Sequence, residues 1–105
     1  MFDMTTTSDM DMPTMIVISG EIDLFAAPDF KTRLYESVGN GEVDVILDCA
    51  QLDYIDSTGL GILLGVLKKV RQNSHQVTIR NLKENVRKLF RITGLDKAFI
   101  VEEAK

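Results

Sequence analysis

Residues 43–71 read VDVILDCAQLDYIDSTGLGILLGVLKKVR, and this stretch decides the fold. It opens as a strand and closes as a helix. Val43 to Leu47, with Val45 and Ile46, is apolar and β-branched, which suits a pleated buried surface. Cys49 and Leu52 then lead into a loop. A helix begins near Asp56-Ser57, and Leu60, Leu63, Leu64, Leu67 and Val70 follow at helical spacing. Lys68, Lys69 and Arg71 load its last turns with cations, opposite in sign to the helix C-terminus.

Upstream, Thr14 to Gly20 is a nearly continuous apolar run that reads as a strand buried on both faces. Phe2 to Ser8 alternates weakly and reads as an edge strand, joined to the next by a turn at Asp11-Met12-Pro13. After Gly20 comes a polar connection, Glu21-Ile22-Asp23. Pro28 marks a helix start, since its missing N–H costs nothing in the first turn. Phe30, Leu34 and Val38 recur every four residues as one buried stripe, and Gly39-Asn40-Gly41 ends that helix.

Downstream, Asn73-Ser74-His75 is a turn and Gln76 to Arg80 a further strand. Asn81 to Glu84 resembles a helix-capping arrangement. Val86, Leu89, Phe90 and Thr93 line a third helix stopped by Gly94, and Ala98 to Val101 is a last strand. The order is strand, strand, helix, strand, helix, strand, helix, strand. Such alternation predicts an α/β domain: a mixed, mostly parallel sheet of four to five strands with an antiparallel N-terminal edge strand and flanking helices.

Composition limits what the domain does. The 105 residues fit one domain, with a core from about 14 to 101. Net charge is −4, against a general affinity for nucleic acid or anionic membrane. The charge is uneven: residues 1–60 carry 12 acids and 2 bases, residues 61–105 carry 4 acids and 10 bases. Either solvated faces or an interaction surface with an acidic and a basic end accounts for this. The longest apolar stretch, Gly59 to Leu67, is nine residues, and a membrane helix needs about 20. Met1 to Met12 has neither bases nor a long apolar run, so it does not read as a targeting peptide. The chain reads as soluble and cytoplasmic. One cysteine, Cys49, and one histidine, His75, leave no disulfide framework and no His-rich metal site.

Partners and ligands of open α/β sheets gather beyond the carboxyl ends of the strands. Two polar connections lie there: Glu21-Ile22-Asp23, and Asp53 through Gly59. The second sets an acid and two hydroxyls at a helix start, followed by Gly59 and Gly61. Capping explains part of it, with Asp56 or Ser57 accepting from first-turn amides. Glycines inside a helix cost about 1 kcal/mol each relative to Ala, so they imply a close approach, either within the fold or from a partner. Enzyme readings fit poorly. Gly65 is followed by Val66, not by the Lys-Ser or Lys-Thr of a phosphate-binding loop, and Gly59, Gly61 and Gly65 miss the dinucleotide spacing. No serine-hydrolase elbow is present, and His75 lies at the far end of the second helix. Asp48 beside Cys49 raises a thiol pKa rather than activating it.

Three motifs, Gly20-Glu21-Ile22-Asp23, Asp56-Ser57-Thr58-Gly59-Leu60-Gly61 and Leu89-Phe90-Arg91-Ile92-Thr93-Gly94-Leu95, together resemble those of the bacterial anti-sigma factor antagonists. These are single STAS domains, and the likeness to the general stress-response and sporulation members runs from about Met15 to Val101. The resemblance implies partner switching without any cofactor. The unphosphorylated antagonist binds an anti-sigma factor that is also a serine kinase, which frees a sigma factor. The kinase phosphorylates the serine after the motif aspartate, here Ser57, and a PP2C-type phosphatase restores binding. Glu21, Asp23, Asp56, Thr58, Gly59 and Gly61 then belong to the partner-facing surface. Leu60 and Leu64 face either the partner or the core. The free chain is expected to be a monomer. Two departures bear on partner identity: Arg91 stands where relatives often carry an acid, and Asn73-Ser74-His75-Gln76 replaces a frequent glycine pair. The alternative reading is a non-switching STAS scaffold in a larger signalling or transport assembly.

Overall fold

The computed structural model describes residues 1–9 and 12–102. Five strands form one sheet in the order β1 (Phe2–Asp9), β2 (Met12–Ile22), β3 (Val45–Ile55), β4 (Val77–Arg80) and β5 (Ile100–Glu102). β1 pairs antiparallel with β2, and the remaining pairs are parallel. The crossovers carry α1 (Ala27–Val38), α2 (Ser57–Arg71) and α3 (Glu84–Thr93), the last followed by a 3₁₀ turn at Leu95–Lys97. The expected turn at Asp11-Met12-Pro13 falls partly outside the described residues, at Asp11. Among the described residues, no helix is long and apolar enough to cross a membrane.

The strand order explains why β2 is buried on one face only, not on both as its apolar run suggested. Parallel strands that step in a single direction, joined by crossovers of one hand, put their helices on a single face. Thr14, Ile16, Ile18 and Ile22 point into that face and are buried, whereas Val17 on the other is exposed. Phe30, Leu34 and Val38 of α1 and Leu63, Val66, Leu67 and Val70 of α2 close over the buried face. Val86 and Phe90 of α3 complete the core, with the Phe90 and Phe99 rings 5.9 Å apart.

Both central strands run further than expected. Cys49 and Leu52 do not lead into a loop but are buried inside β3, and Glu21 and Ile22 extend β2. The reason is two irregularities in the β2–β3 ladder. Val17 pairs with Asp48 but Ser19 with Gln51; Gly20 pairs with Leu52 but Glu21 with Tyr54. Each shift puts an extra residue into β3, so its buried positions run Val45, Leu47, Cys49, Leu52, Ile55. The two-residue period breaks at the bulges while the strand continues. Burial, with Asp48 alongside, pushes the Cys49 thiol up to about 12, so it is a packed, inert group.

Three smaller expectations also change. Lys83, with no side-chain cap, precedes α3, so Asn81 to Glu84 is not a capping arrangement. Asn81 instead takes φ 64° and donates from Nδ2 to Asp48 Oδ1 at 3.3 Å. Thr93 is exposed rather than lining the buried face, its hydroxyl donating to the Leu89 carbonyl at 2.8 Å. Ala98 precedes the last strand, since the 3₁₀ turn occupies the residues just before it. Gly94 does end α3, at φ 77°.

Candidate functional site

The site lies where β2 and β3 leave the sheet. Ile22 and Ile55 are register partners, and the Asp56 amide donates to the Ile22 carbonyl at 3.1 Å. The loop after β2 and the tip of α2 therefore emerge side by side. Asp23 shapes the loop: its carboxylate accepts from the Ala26 amide at 2.9 Å and its carbonyl from the Ala27 amide at 3.0 Å. Asp56 shapes the tip. It has extended backbone, φ −98° and ψ −176°, and its Oδ1 accepts from the Gly59 amide at 3.1 Å. That makes Asp56, not Ser57, the cap, and leaves the Ser57 hydroxyl unused by capping. Replacing Asp56 by Ala is expected to cost about 1 kcal/mol in urea unfolding, with Asp56→Asn restoring most of it.

Ser57 and Thr58 are exposed in the first turn of α2. First-turn amides have no intrahelical acceptor and carry the positive end of the helix dipole, so they favour an added anion there. His75, the sole histidine, follows the C-terminal end of this 15-residue helix, about 22 Å along the axis from Ser57, beside Asp44 at 3.2 Å. It cannot serve as a base for Ser57. Among the described residues, no group of three or more His, Cys, Asp or Glu could hold a metal ion.

The glycines divide between the two kinds of close approach. Gly59 is buried, and a Cβ there would lie 2.6 Å from Ile55 Cγ1 and 3.0 Å from Ile22 Cγ2. Gly65 admits the hydroxyl of Tyr35. Both serve the fold, so a partner-facing place for Gly59 is corrected to an internal one. Gly61 is exposed with open space beyond it. Leu60 is only 4% exposed and belongs to the core, while Leu64 is half-buried at its edge. Glu21 is exposed, but at the end of β2 rather than in a loop, opposite Tyr54. The outer surface thus gathers Glu21, Asp23, Asp56, Ser57, Thr58 and Gly61.

Three residues missed in the sequence adjoin this surface: Leu24, Phe25 and Tyr54, respectively 64%, 91% and 44% exposed. Leu24 and Phe25 sit out of phase with the Phe30, Leu34, Val38 stripe, which was the signal that α1 does not bury them.

Residues 1–104 match the STAS domain family. The chain is 35% identical over 88 residues to an anti-sigma-B factor antagonist of Staphylococcus epidermidis, covering 84% of this chain and 82% of that protein. The chain belongs to the STAS domain family, among the anti-sigma factor antagonists. Its fold agrees with an anti-sigma factor antagonist from Mycobacterium paratuberculosis, at TM-score 0.79 and 25% identity over 96% of this chain and 85% of that one. It also matches the Bacillus cell fate determinant SpoIIAA in the phosphorylated form, at TM-score 0.74 and 21% identity, covering 98% and 92% of the two chains. For this STAS domain, the five-stranded mixed sheet is therefore the family's architecture rather than a variant of it.

Proposed function

We propose that this STAS domain is a partner-switching regulator whose switch is the Ser57 hydroxyl. Unphosphorylated, it binds an anti-sigma factor and releases a sigma factor. The anti-sigma factor is also a serine kinase, which phosphorylates Ser57, and a PP2C-type phosphatase reverses this. The cycle places the chain in the cytoplasm and uses no catalysis of its own; the free antagonist is a monomer.

One observation carries the reading: Ser57 is exposed at the first position of α2, with the capping role taken by Asp56. A hydroxyl so placed can accept a phosphoryl group without unmaking a cap. The product carries about −1.5 to −2 charge, which the helix N-terminus tolerates. The fold then survives and the partner feels the change. After transfer, the phosphoserine repels an acid on the partner, and at Gly61 a closely packed partner backbone meets new bulk. A relative's structure in a phosphorylated form supports the same chemistry here.

Mapping the label after incubation with the purified anti-sigma factor kinase and ATP tests this. Stoichiometric phosphate on Ser57, absent from Ser57→Ala and removed by a PP2C-type phosphatase, is expected. No label, as for a non-switching scaffold, or a label confined to another residue would contradict it.

A further inference from the structure

We propose that Leu24 and Phe25 are an apolar anchor that inserts into a cleft of the anti-sigma factor, separate from the switch at Ser57. The inference rests on the partner-switching reading and names the contact that reading lacks. The loop carrying the pair is held in place: Asp23 bonds the amides of Ala26 and Ala27, and the Phe30 amide donates to the Ala26 carbonyl at 3.0 Å. Phe25 is nonetheless 91% exposed and Leu24 64%. A fixed turn that holds an aromatic ring and a leucine in water gains nothing for the free fold. Interface cores are enriched in aromatic side chains, and a few buried anchors dominate binding.

The pair continues the proposed interface, because the loop and the tip of α2 leave adjacent strands joined by the Asp56–Ile22 hydrogen bond. Beside Phe25 runs a groove lined by Met1, Phe2, Ala26, Asp23 and Asp29. The Met1 carbonyl, which accepts from the Glu21 amide at 2.9 Å, brings that groove to the end of β2. The apolar pair therefore stands among acids, with Glu21 and Asp29 exposed. Two-fold pairing of this loop with the same loop of a second copy would set those acids against their own kind, which is unfavourable. The fitting occupant is an apolar cleft rimmed by lysine or arginine.

The anchor and the switch make different demands. Removing Phe25 leaves the Ser57 hydroxyl and the α2 cap untouched. Binding of the full chain to the purified anti-sigma factor kinase, with ADP present, is compared for wild type, Phe25→Ala and the Leu24→Ala/Phe25→Ala pair. Phe25→Ala is expected to weaken binding by about tenfold or more, and the pair further. Its urea midpoint should match wild type. KM for Ser57 phosphorylation should rise with kcat within about twofold. Binding of Phe25→Ala equal to a wild type that does bind would overturn the anchor alone. A wild type that neither binds nor takes phosphate would overturn the functional reading and the anchor with it. Sedimentation showing a wild-type dimer that Phe25→Ala dissociates would assign the surface to a second copy and also overturn the proposal.

Discussion

Phosphorylating Ser57 is expected to lower the affinity for the anti-sigma factor by about fivefold to about a thousandfold, and Ser57→Asp to lower it by about two- to thirtyfold. The range follows from Coulomb's law for an anionic group about 6–8 Å away on the partner. A near-dianion is repelled by roughly 1–4 kcal/mol as the effective dielectric falls from water to a protein surface, and a single charge by about half that. The antagonist's own fold should hardly notice. Ser57 opens α2, where a negative charge is favoured by the dipole, and Asp56 keeps its bond to the Gly59 amide. Urea midpoints of wild type and Ser57→Asp should therefore agree, and Ser57→Ala should bind like wild type. Titration calorimetry with the purified partner reads the binding. Loss of binding that tracks a loss of stability would mean that the substitution acts through the fold instead.

Phe30→Ala is expected to cost about 3–5 kcal/mol, a large share of a stability of about 5–15 kcal/mol. Phe30 is fully buried, and its ring meets Phe2 edge to face at 5.5 Å between centroids. Leu34 and Val38 hold the same buried stripe one and two turns on and are themselves packed in the core. The effect reaches the site as well. Phe30 seats the first turn of α1, and its amide donates to the carbonyl of Ala26, whose own amide donates to the Asp23 carboxylate. A urea midpoint shift read at constant m-value measures the loss. A change under about 1 kcal/mol would show that α1 is not held as described. Phe25→Ala, five residues earlier and exposed, is the internal control.

Most of the architecture was legible because its elements obey simple periods. Phe30, Leu34 and Val38 repeat every four residues, and α1 buries all three. Asp56 with Ser57 announced the start of α2, which the structure resolves into Asp56 as the cap and Ser57 as the first helical residue. Legibility failed where a period broke. Cys49, Leu52 and Ile55 lie three apart because of the bulges in β3, a spacing that no regular strand shows. Burial of the sheet on one face depends on strand order, which local apolarity does not report, so the Thr14 to Gly20 run read as buried on both sides. Gly59 and Gly61 look alike in sequence, yet Ile55 and Ile22 crowd the first while the second faces open space. Only the packing of α2 against the ends of β2 and β3 tells them apart. Leu24 and Phe25 were passed over because apolar residues are read as core unless their phase is checked against the helix that follows.

On the proposed cycle, one phosphate at the tip of α2 decides whether the partner stays. Full-length antagonist, phosphorylated on Ser57 and confirmed intact by mass, is competed against unmodified antagonist for a limiting amount of anti-sigma factor. The unmodified chain is expected to take nearly all of it, and treating the mixture with a PP2C-type phosphatase is expected to return the two chains to parity. Equal sharing before the phosphatase is added would contradict it.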